Sequence, residues 1–387
     1  MNLALKDIRF NLTRFLLTAA GVGFLITAAI GMIGLYRGIV FDALLIVEEV
    51  GADLWVVQGG RAGPFAESSA ISANMDRRLE GVPGVRSVRR FVQASQQFQH
   101  GGREVRATVT GLDFPKDSGA WLRLARGHDL RTGHYTAIAD VSLGLAVGDT
   151  VRLGLDDYEI VGVTRGMVDS MGDGLMFVSV NDAMEIARRR SSEEILLARA
   201  AGSAAFAGVA SGSSVPQDSK IAAVLVELDA GADAAAVNRA VLRWGDANIL
   251  SRADQRDLLL NKRLWRLRIQ ILAFTAVLLA VMTIVISLII YTMTLEKLHQ
   301  IAMLKLIGAR NGAIIAMIAE QSALIGIGGF AIGVTLSALI FPYFPRRVVM
   351  DPSDLASLFV AVGIICALAS LFGISKALKV RAQEVLS

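Results

Sequence analysis

The sequence predicts a membrane α-helical protein with four transmembrane helices and a large α+β extracytoplasmic domain between helices 1 and 2. Three observations predict this class. The 387 residues are 53% hydrophobic and 19% charged, a more apolar balance than that of soluble domains. Four apolar runs are each long enough to cross a bilayer as a helix. Between the first two runs lie about 230 residues, which is the size of a full domain.

The four apolar runs divide the chain into segments. We predict transmembrane helices at residues 15–37, 269–295, 313–341 and 355–375. The remaining segments are an interfacial helix (1–14), the extracytoplasmic domain (38–268), a cytoplasmic helix (296–312), a periplasmic loop (342–354) and a cytoplasmic tail (376–387). The first run is longer than the apolar region of a signal peptide, so we expect a retained helix. Residues 1–14 carry an apolar stripe that fits the headgroup layer, and an extension of the first span is the alternative.

Basic residues indicate the orientation, because lysine and arginine gather on the cytoplasmic side of a membrane. One basic group, Lys6, Arg9 and Arg14, precedes span one. A second, Lys297, Lys305 and Arg310, lies between spans two and three, and a third, Lys376, Lys379 and Arg381, follows span four. They all fall on one side if both termini are cytoplasmic. Arg346 and Arg347 fall on the other side but are outnumbered. The large insert would then lie outside the cytoplasm.

Strand and helix patterns alternate within the insert. "GADLWVVQGG" is typical of a strand followed by a glycine turn, and "REVRATVTGLDF" alternates as a strand does. We predict a β-rich middle at about residues 120–190. Residues 198–220 are rich in Ala, Gly and Ser and predict a flexible loop, with a docking loop for a partner as the alternative. Residues 251–268 predict a charged stalk helix that leads into span two.

Several functional classes find no support in the residues. A net charge of +4 without a basic, aromatic-interleaved stripe does not indicate nucleic-acid binding. The single cysteine, Cys366, excludes an internal disulfide, and the four histidines lack metal-ligand spacing, so we expect no metal site. The acidic pair Asp156–Asp157 fits a turn, and Ser142 and Ser179 lack a nucleophile elbow. We therefore expect no catalytic residues and no enzyme.

The segment "LEKLHQIAMLKLIGAR" (Leu295 to Arg310) predicts an amphipathic helix between spans two and three. Apolar residues recur there at three-residue spacing and suggest one ridge, formed by Leu298, Ile301, Leu304 and Ile307. Gly308 would end the helix, since glycine readily takes the left-handed conformation. The ridge would lie either on the lipid surface or in a groove of a partner, and periodicity leaves both open.

A longer stretch, "TLEKLHQIAMLKLIGARNGAIIAMIAEQSALIGIGGFAIG", resembles the signature of the FtsX/MacB-type (type VII) permeases of ABC transporters. The matching positions are Glu296, Ile301, Ala302, Leu304, Lys305, Ile307, Gly308, Ala309, Gln321 and Ser322. The start "ALKDIRFNLTRFLLTAAGVGFLITAAIGM" and the end "ISKALKVRAQEVLS" are also similar to that family. The chain lacks a fused ATPase domain, so it is closer to FtsX, the Lol lipoprotein-release subunits and DevC-like permeases.

In that family, the loop between spans two and three is a coupling helix that seats in a groove of a separate ATPase. The resemblance implies this role for Glu296, Lys297, Ile301, Leu304, Lys305, Gly308 and Arg310. Apolar side chains would fill the groove, and Lys305 and Arg310 would meet acidic groups of the partner. The alternative is that these basic residues only set the membrane topology of an ordinary loop. The chain has no G-x-x-x-x-G-K-[ST], so ATP and Mg²⁺ would bind the partner ATPase and no cofactor is expected here.

The resemblance also implies a function and a set of partners. The chain would be a bacterial inner-membrane permease subunit in which ATP hydrolysis by a dimeric ABC ATPase moves the MacB-like periplasmic domain. This mechanotransmission would drive export or extraction of an amphiphilic, lipid-like or periplasmic substrate. A second permease copy in a homodimer, membrane lipid, a periplasmic membrane-fusion adaptor and an outer-membrane channel are the further partners. An FtsX-like regulator that activates a periplasmic partner without transport is the alternative.

The third span holds four further candidates for packing or coupling. Glu320 is the one acid within that apolar run and could instead reach the interface, and Gln321 belongs to the matched signature. Gly329 and Gly333 form a G-x-x-x-G pattern that permits close helix approach. The pattern fits packing within the subunit and packing at a dimer interface equally well.

Overall fold

A computed structural model describes residues 12–188, 220–307 and 310–379 of the protein. The chain divides into two compact units. One comprises Met1–Gly38 and Arg266–Ser387, here called the membrane unit, and the other comprises Ile39–Trp265, here called the sheet unit. Most of the predicted interfacial helix, flexible loop and cytoplasmic tail lies outside the described residues.

Nine helices occur in the described residues. They are α1 (Leu12–Glu49), α2 (Met75–Glu80), α3 (residues 180–188), α4 (Ala234–Leu242), α5 (Arg252–Leu258), α6 (Trp265–Glu296), α7 (Leu298–Leu306), α8 (Asn311–Ile340) and α9 (Pro352–Lys379). Four of them are long and apolar enough to cross a membrane: α1, α6, α8 and α9. The predicted fold class is therefore confirmed. Helix α1 continues to Glu49, beyond the predicted end at residue 37, because "DALLIVEE" keeps a helical pattern.

The sheet unit contains the strands β1 (Leu54–Gln58), β2 (Ile71–Ser72), β3 (Val85–His100), β4 (Arg103–Leu112), β5 (Leu124–Gly127), β6 (Thr136–Asp140), β7 (Thr150–Leu153), β8 (Asp156–Thr164), β9 (Gly174–Ser179), β10 (Lys220–Ile221), β11 (Ala223–Leu228) and β12 (Ala247–Ser251). Ten of them form one sheet in the order β12-β1-β11-β3-β4-β9-β6-β8-β5, with β7 beside β8. The pairs β4–β9 and β6–β8 are parallel, whereas the others are antiparallel. The sheet is mixed, and it extends well outside the predicted β-rich range of 120–190.

The longest hairpin of the sheet joins β3 to β4. Its turn consists of Gly101 and Gly102, whose φ angles are +57° and +76°. Positive φ at both central positions is the type I′ geometry that matches the twist of the flanking strands. His100 then pairs with Arg103, and the register continues to Val92 and Gly111. The hairpin lies before residue 120, outside the predicted β-rich middle, and its second strand lies within "REVRATVTGLDF", which the alternation predicts as a strand.

Both faces of the sheet are covered. One apolar cluster includes residues of α2, α3 and α4, such as Leu79, Ile186 and Val241. The other contains the end of α1 and an aromatic group of Trp55, Phe65 and Phe91. Their ring centroids are 5.2–5.7 Å apart in edge-to-face geometry, which aromatic pairs prefer. The C-terminal turns of α1 are thus part of the core of the sheet unit.

The predicted stalk (251–268) is helical but interrupted. Ser251 ends β12 and caps α5 in a capping box with Asp254. A π-helical segment follows at Leu259–Arg263, and its widened turn is closed by the Leu264 amide, which donates to the Leu259 carbonyl at 2.8 Å. Helix α6 begins at Trp265. The stalk residues are therefore helical, but a π-helical turn and Leu264 separate α5 from α6.

Candidate functional site

Helix α7 is a nine-residue element between α6 and α8. Its Ile301 and Ala302 are 1% and 0% exposed. Ile301 belongs to the same apolar cluster as Ile290 of α6 and Ile314 of α8. One side of α7 is therefore packed into the membrane unit itself.

The opposite side of α7 is open. Met303, Leu306 and Ile307 are 44%, 58% and 81% exposed. Successive helical residues are about 100° apart, so these three fall on one side of the helix, opposite Ile301. His299 and Gln300 are exposed on the same side. We call these five residues the exposed α7 face.

The two ridge residues whose side chains are described, Ile301 and Ile307, do not lie on one face of α7. Each three-residue step turns by about 300° on a helix with 3.6 residues per turn, so the ridge drifts by about 60° per step. Ile301 is consequently buried, whereas Ile307, two steps later, is exposed. Ile301 packs inside its own chain and is not available to fill a partner's groove. Sequence reasoning missed Met303 and Leu306, which a strict 3.6-residue period would have placed beside Ile307.

The remaining predicted coupling residues lie at the ends of α7. Glu296 and Arg310 are exposed, and Lys297 is half-buried. The Lys297 amide donates to Thr294 and its carbonyl accepts from Ile301, so α7 follows α6 after one turn residue. Helix α8 begins at Asn311, with Arg310 in the extended conformation before it. The side chains of Leu304 and Lys305, and the whole of Gly308, lie outside the described residues.

The G-x-x-x-G glycines of α8 face α1 within the same chain. A Cβ atom added to Gly329 would lie 2.7 Å from Cγ1 of Val22, and one added to Gly333 would lie 2.7 Å from Cγ2 of Ile26. Gly23 of α1 is equally constrained, because its Cβ would lie 2.7 Å from Cγ2 of Ile332 on α8. Glycines on both helices therefore allow the two backbones to approach closely.

The polar candidates of α8 lie on different sides of that helix. Gln321 is 7% exposed, whereas Glu320 is exposed on the surface of the described membrane unit. Next to Gln321, the Ser322 hydroxyl donates to the Cys366 carbonyl on α9 at 2.8 Å. The polar part of the signature thus includes a helix–helix hydrogen bond between α8 and α9.

An ion-pair cluster that the sequence did not predict lies in the membrane unit. Arg37 of α1 contacts Asp351 at 2.9 Å and donates to Asp354 at 2.8 Å. Nearby, the Val349 amide donates to the Gly34 carbonyl at 3.0 Å. A hydrogen bond from the Ser353 amide and the charge of Arg37 lower the pKa of Asp351. The segment before α9, predicted as a plain loop, is therefore bound to α1.

Comparisons with known proteins agree with this architecture. Residues 15–243 match the family model of the MacB-like periplasmic core domain, and residues 272–382 match that of the FtsX-like permease C-terminal region. An uncharacterized ABC transporter permease of Mycobacterium tuberculosis (strain ATCC 25618 / H37Rv) is 24% identical over 374 residues, covering 96% of this chain and 95% of that protein. A second one from the same strain is 23% identical over 378 residues, covering 97% and 96%.

Two solved structures are also similar. The periplasmic region of MacB from Actinobacillus actinomycetemcomitans covers 56% of this chain and 96% of its own, at 11% identity and a TM-score of 0.38. The extracellular domain of the noncanonic ABC-type transporter YknZ from Gram-positive bacteria covers 52% and 99%, at 15% identity and a TM-score of 0.33.

Four helices apolar enough to cross a membrane, with a large mixed-sheet domain inserted after the first, are the architecture of a multi-pass membrane protein. The chain belongs to the MacB/FtsX family of ABC transporter permeases, since the first matched family model alone spans more than half of it. A permease of this kind is not itself the ATPase and works with an ATPase subunit.

Proposed function

We propose that this permease couples ATP hydrolysis by a separate, dimeric ATPase to movement of its sheet unit. The movement would drive export or extraction of an amphiphilic, lipid-like or periplasmic substrate. Two permease copies would form the complex, and a periplasmic adaptor with an outer-membrane channel would complete it where the cell envelope has one. ATP and Mg²⁺ would be bound by the ATPase.

The exposed α7 face carries this proposal. Apolar side chains as exposed as Leu306 and Ile307 at the end of a short helix suit a hydrophobic groove in a partner. The other side of α7 is fixed in the membrane unit through Ile301, so a push on α7 would reach α6 and α8 directly. Glu296, Lys297 and Arg310 flank the face and would provide polar contacts, with Lys305 as a further predicted contact.

Helix α1 supports the proposed transmission of movement. It is one uninterrupted helix of 38 residues, from Leu12 to Glu49. Its first part belongs to the membrane unit, and its last turns belong to the sheet unit. A rigid helix of about 1.5 Å per residue transfers a displacement along its axis without a flexible linker.

The outer surfaces of α1 and α6 favour an amphiphile over a hydrophilic substrate. Their exposed side chains are large and apolar, and include Leu17, Phe24, Leu272, Phe274 and Ile284. No charged residue occurs between residues 15 and 36 or between 269 and 295. A wide polar path along these helices would need polar lining, whereas movement of an outer domain does not.

The proposal can be tested with a spin label on the sheet unit. Leu155 lies in the turn between β7 and β8 and is 68% exposed, so Leu155→Cys in a Cys366→Ala background gives one label per chain. The complex with its ATPase is reconstituted in lipid, and label-to-label distances between the two copies are measured. We expect the distances to change when a non-hydrolysable ATP analogue is added. Unchanged distances would contradict the proposal.

Release of a lipid or lipoprotein from the same vesicles distinguishes transport from regulation. ATP-dependent release would support transport. Domain movement without any release, together with activation of a periplasmic enzyme, would support the FtsX-like alternative.

A further inference from the structure

A buried arginine holds the end of α1 in the sheet unit. Arg89 of β3 has a side chain that is 9% exposed. It donates to the carbonyl oxygen of Val50 at 2.8 Å, and Val50 is the residue that follows α1. The next residue, Gly51, has a φ of +73°, so the chain leaves the helix there in a left-handed conformation.

The Arg89 guanidinium is held in place by two carboxylates. It donates to Asp117 at 2.7 Å and contacts Glu227 of β11 at 3.0 Å. Asp117 is itself 6% exposed and also accepts from the Gly119 amide and the Trp121 indole. A planar guanidinium suits such a fixed, multiply bonded position, which the single ammonium of lysine does not reproduce. We call Val50, Arg89, Asp117 and Glu227 the α1 anchor.

The end of α1 that the anchor binds also packs into an apolar cluster of the sheet unit. Leu45, Ile46 and Val50 lie in the cluster that contains Trp55 and Phe91. The last carbonyls of a helix carry partial negative charge, and a cation there is favourable. Arg89 therefore adds a directional polar link between the backbone of α1 and β3 to the apolar contacts of the helix end.

The second connection of the sheet unit meets α1 close to the anchor. Arg252 of α5 donates to the carbonyl of Ala52 at 3.2 Å, two residues after Val50. Leu259, at the start of the π-helical segment, packs against Leu44 and Val47 of α1. The segment that leads to α6 is thus bound to the same end of α1, so the sheet receives both connections at one place.

We propose that Arg89 is the positioning residue that transmits displacement of α1 to the sheet, through its bond to Val50. This inference rests on the proposed function, in which α1 moves with the membrane unit. Without the bond, the end of α1 would still contact the sheet unit through the Arg252–Ala52 hydrogen bond and its apolar cluster, but the polar link from Val50 to β3 would be lost. With it, axial movement of α1 would be carried to β3 and, through Glu227, to β11.

The test separates transmission from stability. Arg89→Met alone would leave Asp117 as a buried, unpaired charge and destabilise the protein strongly. The double variant Arg89→Met/Asp117→Asn removes both charges, and the asparagine side-chain oxygen can still accept from the Gly119 amide and the Trp121 indole. Changing both partners avoids the unpaired buried charge that makes the single replacement costly. It is compared with Arg123→Gln/Glu49→Gln, which removes an exposed ion pair of 3.0 Å at the same end of α1. Arg89→Lys is made in parallel.

Each variant carries the Leu155→Cys label and is assembled with the ATPase. We expect the double variant to unfold near the wild-type temperature and to hydrolyse ATP normally, but to lose the ATP-dependent distance change. The Arg123→Gln/Glu49→Gln control should keep the full change. If the double variant does not fold, Arg89→Lys should show the same loss at a near-normal unfolding temperature.

Two outcomes would overturn the inference, and they are distinguishable. A folded double variant or Arg89→Lys with the full distance change would overturn the role of Arg89 alone. A wild-type protein without any ATP-dependent change would overturn the proposed function, and the anchor's role in transmission with it.

Discussion

The Thr27 hydroxyl of α1 donates to the carbonyl oxygen of Gly333 on α8 across 3.2 Å. The same hydroxyl is 2.9 Å from the carbonyl of Gly23 in its own helix. A hydroxyl can bridge two backbones in this way only where glycines let the helices approach closely. The α1–α8 contact therefore combines close packing with a hydrogen bond, as is common in membrane proteins.

Adding one methyl group to the α1–α8 contact should destabilise the protein. In Gly23→Ala, the new methyl would lie 2.7 Å from Ile332 and 3.1 Å from the Gly329 carbonyl. We expect a loss of about 1–3 kcal/mol in the free energy of unfolding, as for other overpacked sites. Gly21→Ala, where nothing lies within 4 Å, is the control. Unfolding in detergent measures both, and equal stabilities would contradict the packing.

Removing the interhelical hydrogen bond should have a smaller effect. Thr27→Val keeps the shape of the side chain but not the donor, and we expect a loss of about 0.6 kcal/mol. Thr335→Val is the control, because the Thr335 hydroxyl bonds within its own helix at 2.8 Å and is exposed. A double-mutant comparison with Ser337→Ala, whose hydroxyl also donates to Gly333, measures how the two bonds interact. A Thr27→Val protein as stable as the Thr335→Val control would argue against the bond.

The charge of Asp351 should stabilise the folded protein at neutral pH, and this stabilisation should be lost in acid. Its pKa is lowered in the folded protein, so the folded state favours the ionised form. That contribution is complete at pH values above the ordinary aspartate pKa of about 4, and it disappears as the pH falls below that pKa. Asp351→Asn should therefore lower the unfolding temperature by a constant amount from neutral pH to about pH 5, and by less below about pH 4. A difference that grows on acidification would contradict this assignment.

The membrane spans were the part of the fold most accessible from sequence. A run of about 20 apolar residues has few alternatives, and all four predicted spans coincide with long apolar helices. The hairpin of β3 and β4 was not placed in the β-rich region, because half-buried strands such as "QASQQFQH" lack a continuous apolar face. Its place in the sheet, between β11 and β9, depends on strands that are distant in sequence.

The candidate site was predicted only in outline. The charged segment between two apolar runs predicted the position of α7, but it did not predict which face of α7 is exposed. Whether Ile301 or Ile307 is buried depends on how α7 packs against α6 and α8, and a nine-residue pattern does not encode this. The α1 anchor was equally hidden, since Arg89 sits beside Arg86 and Arg90 in a sequence that looks uniformly basic.

The predicted orientation, with both termini in the cytoplasm, can be measured by cysteine labelling. Cys366 is 5% exposed and can be replaced by alanine, which leaves a chain without thiols. We expect Leu155→Cys to react with a membrane-impermeant maleimide from the extracytoplasmic side, and Gln300→Cys to react only after the membrane is opened. The reverse pattern would overturn the orientation inferred from the basic residues.

Copurification tests whether the exposed α7 face binds the ATPase. The permease carrying Ile307→Asp, or Leu306→Asp, is coexpressed with the ATPase and purified through a tag on the permease. The matched control is Leu155→Asp, which places the same charge at an equally exposed leucine of the sheet unit. We expect both α7 variants to lose the ATPase while the control retains it. An ATPase that stays bound to both α7 variants, and hydrolyses ATP at the wild-type rate, would contradict this expectation.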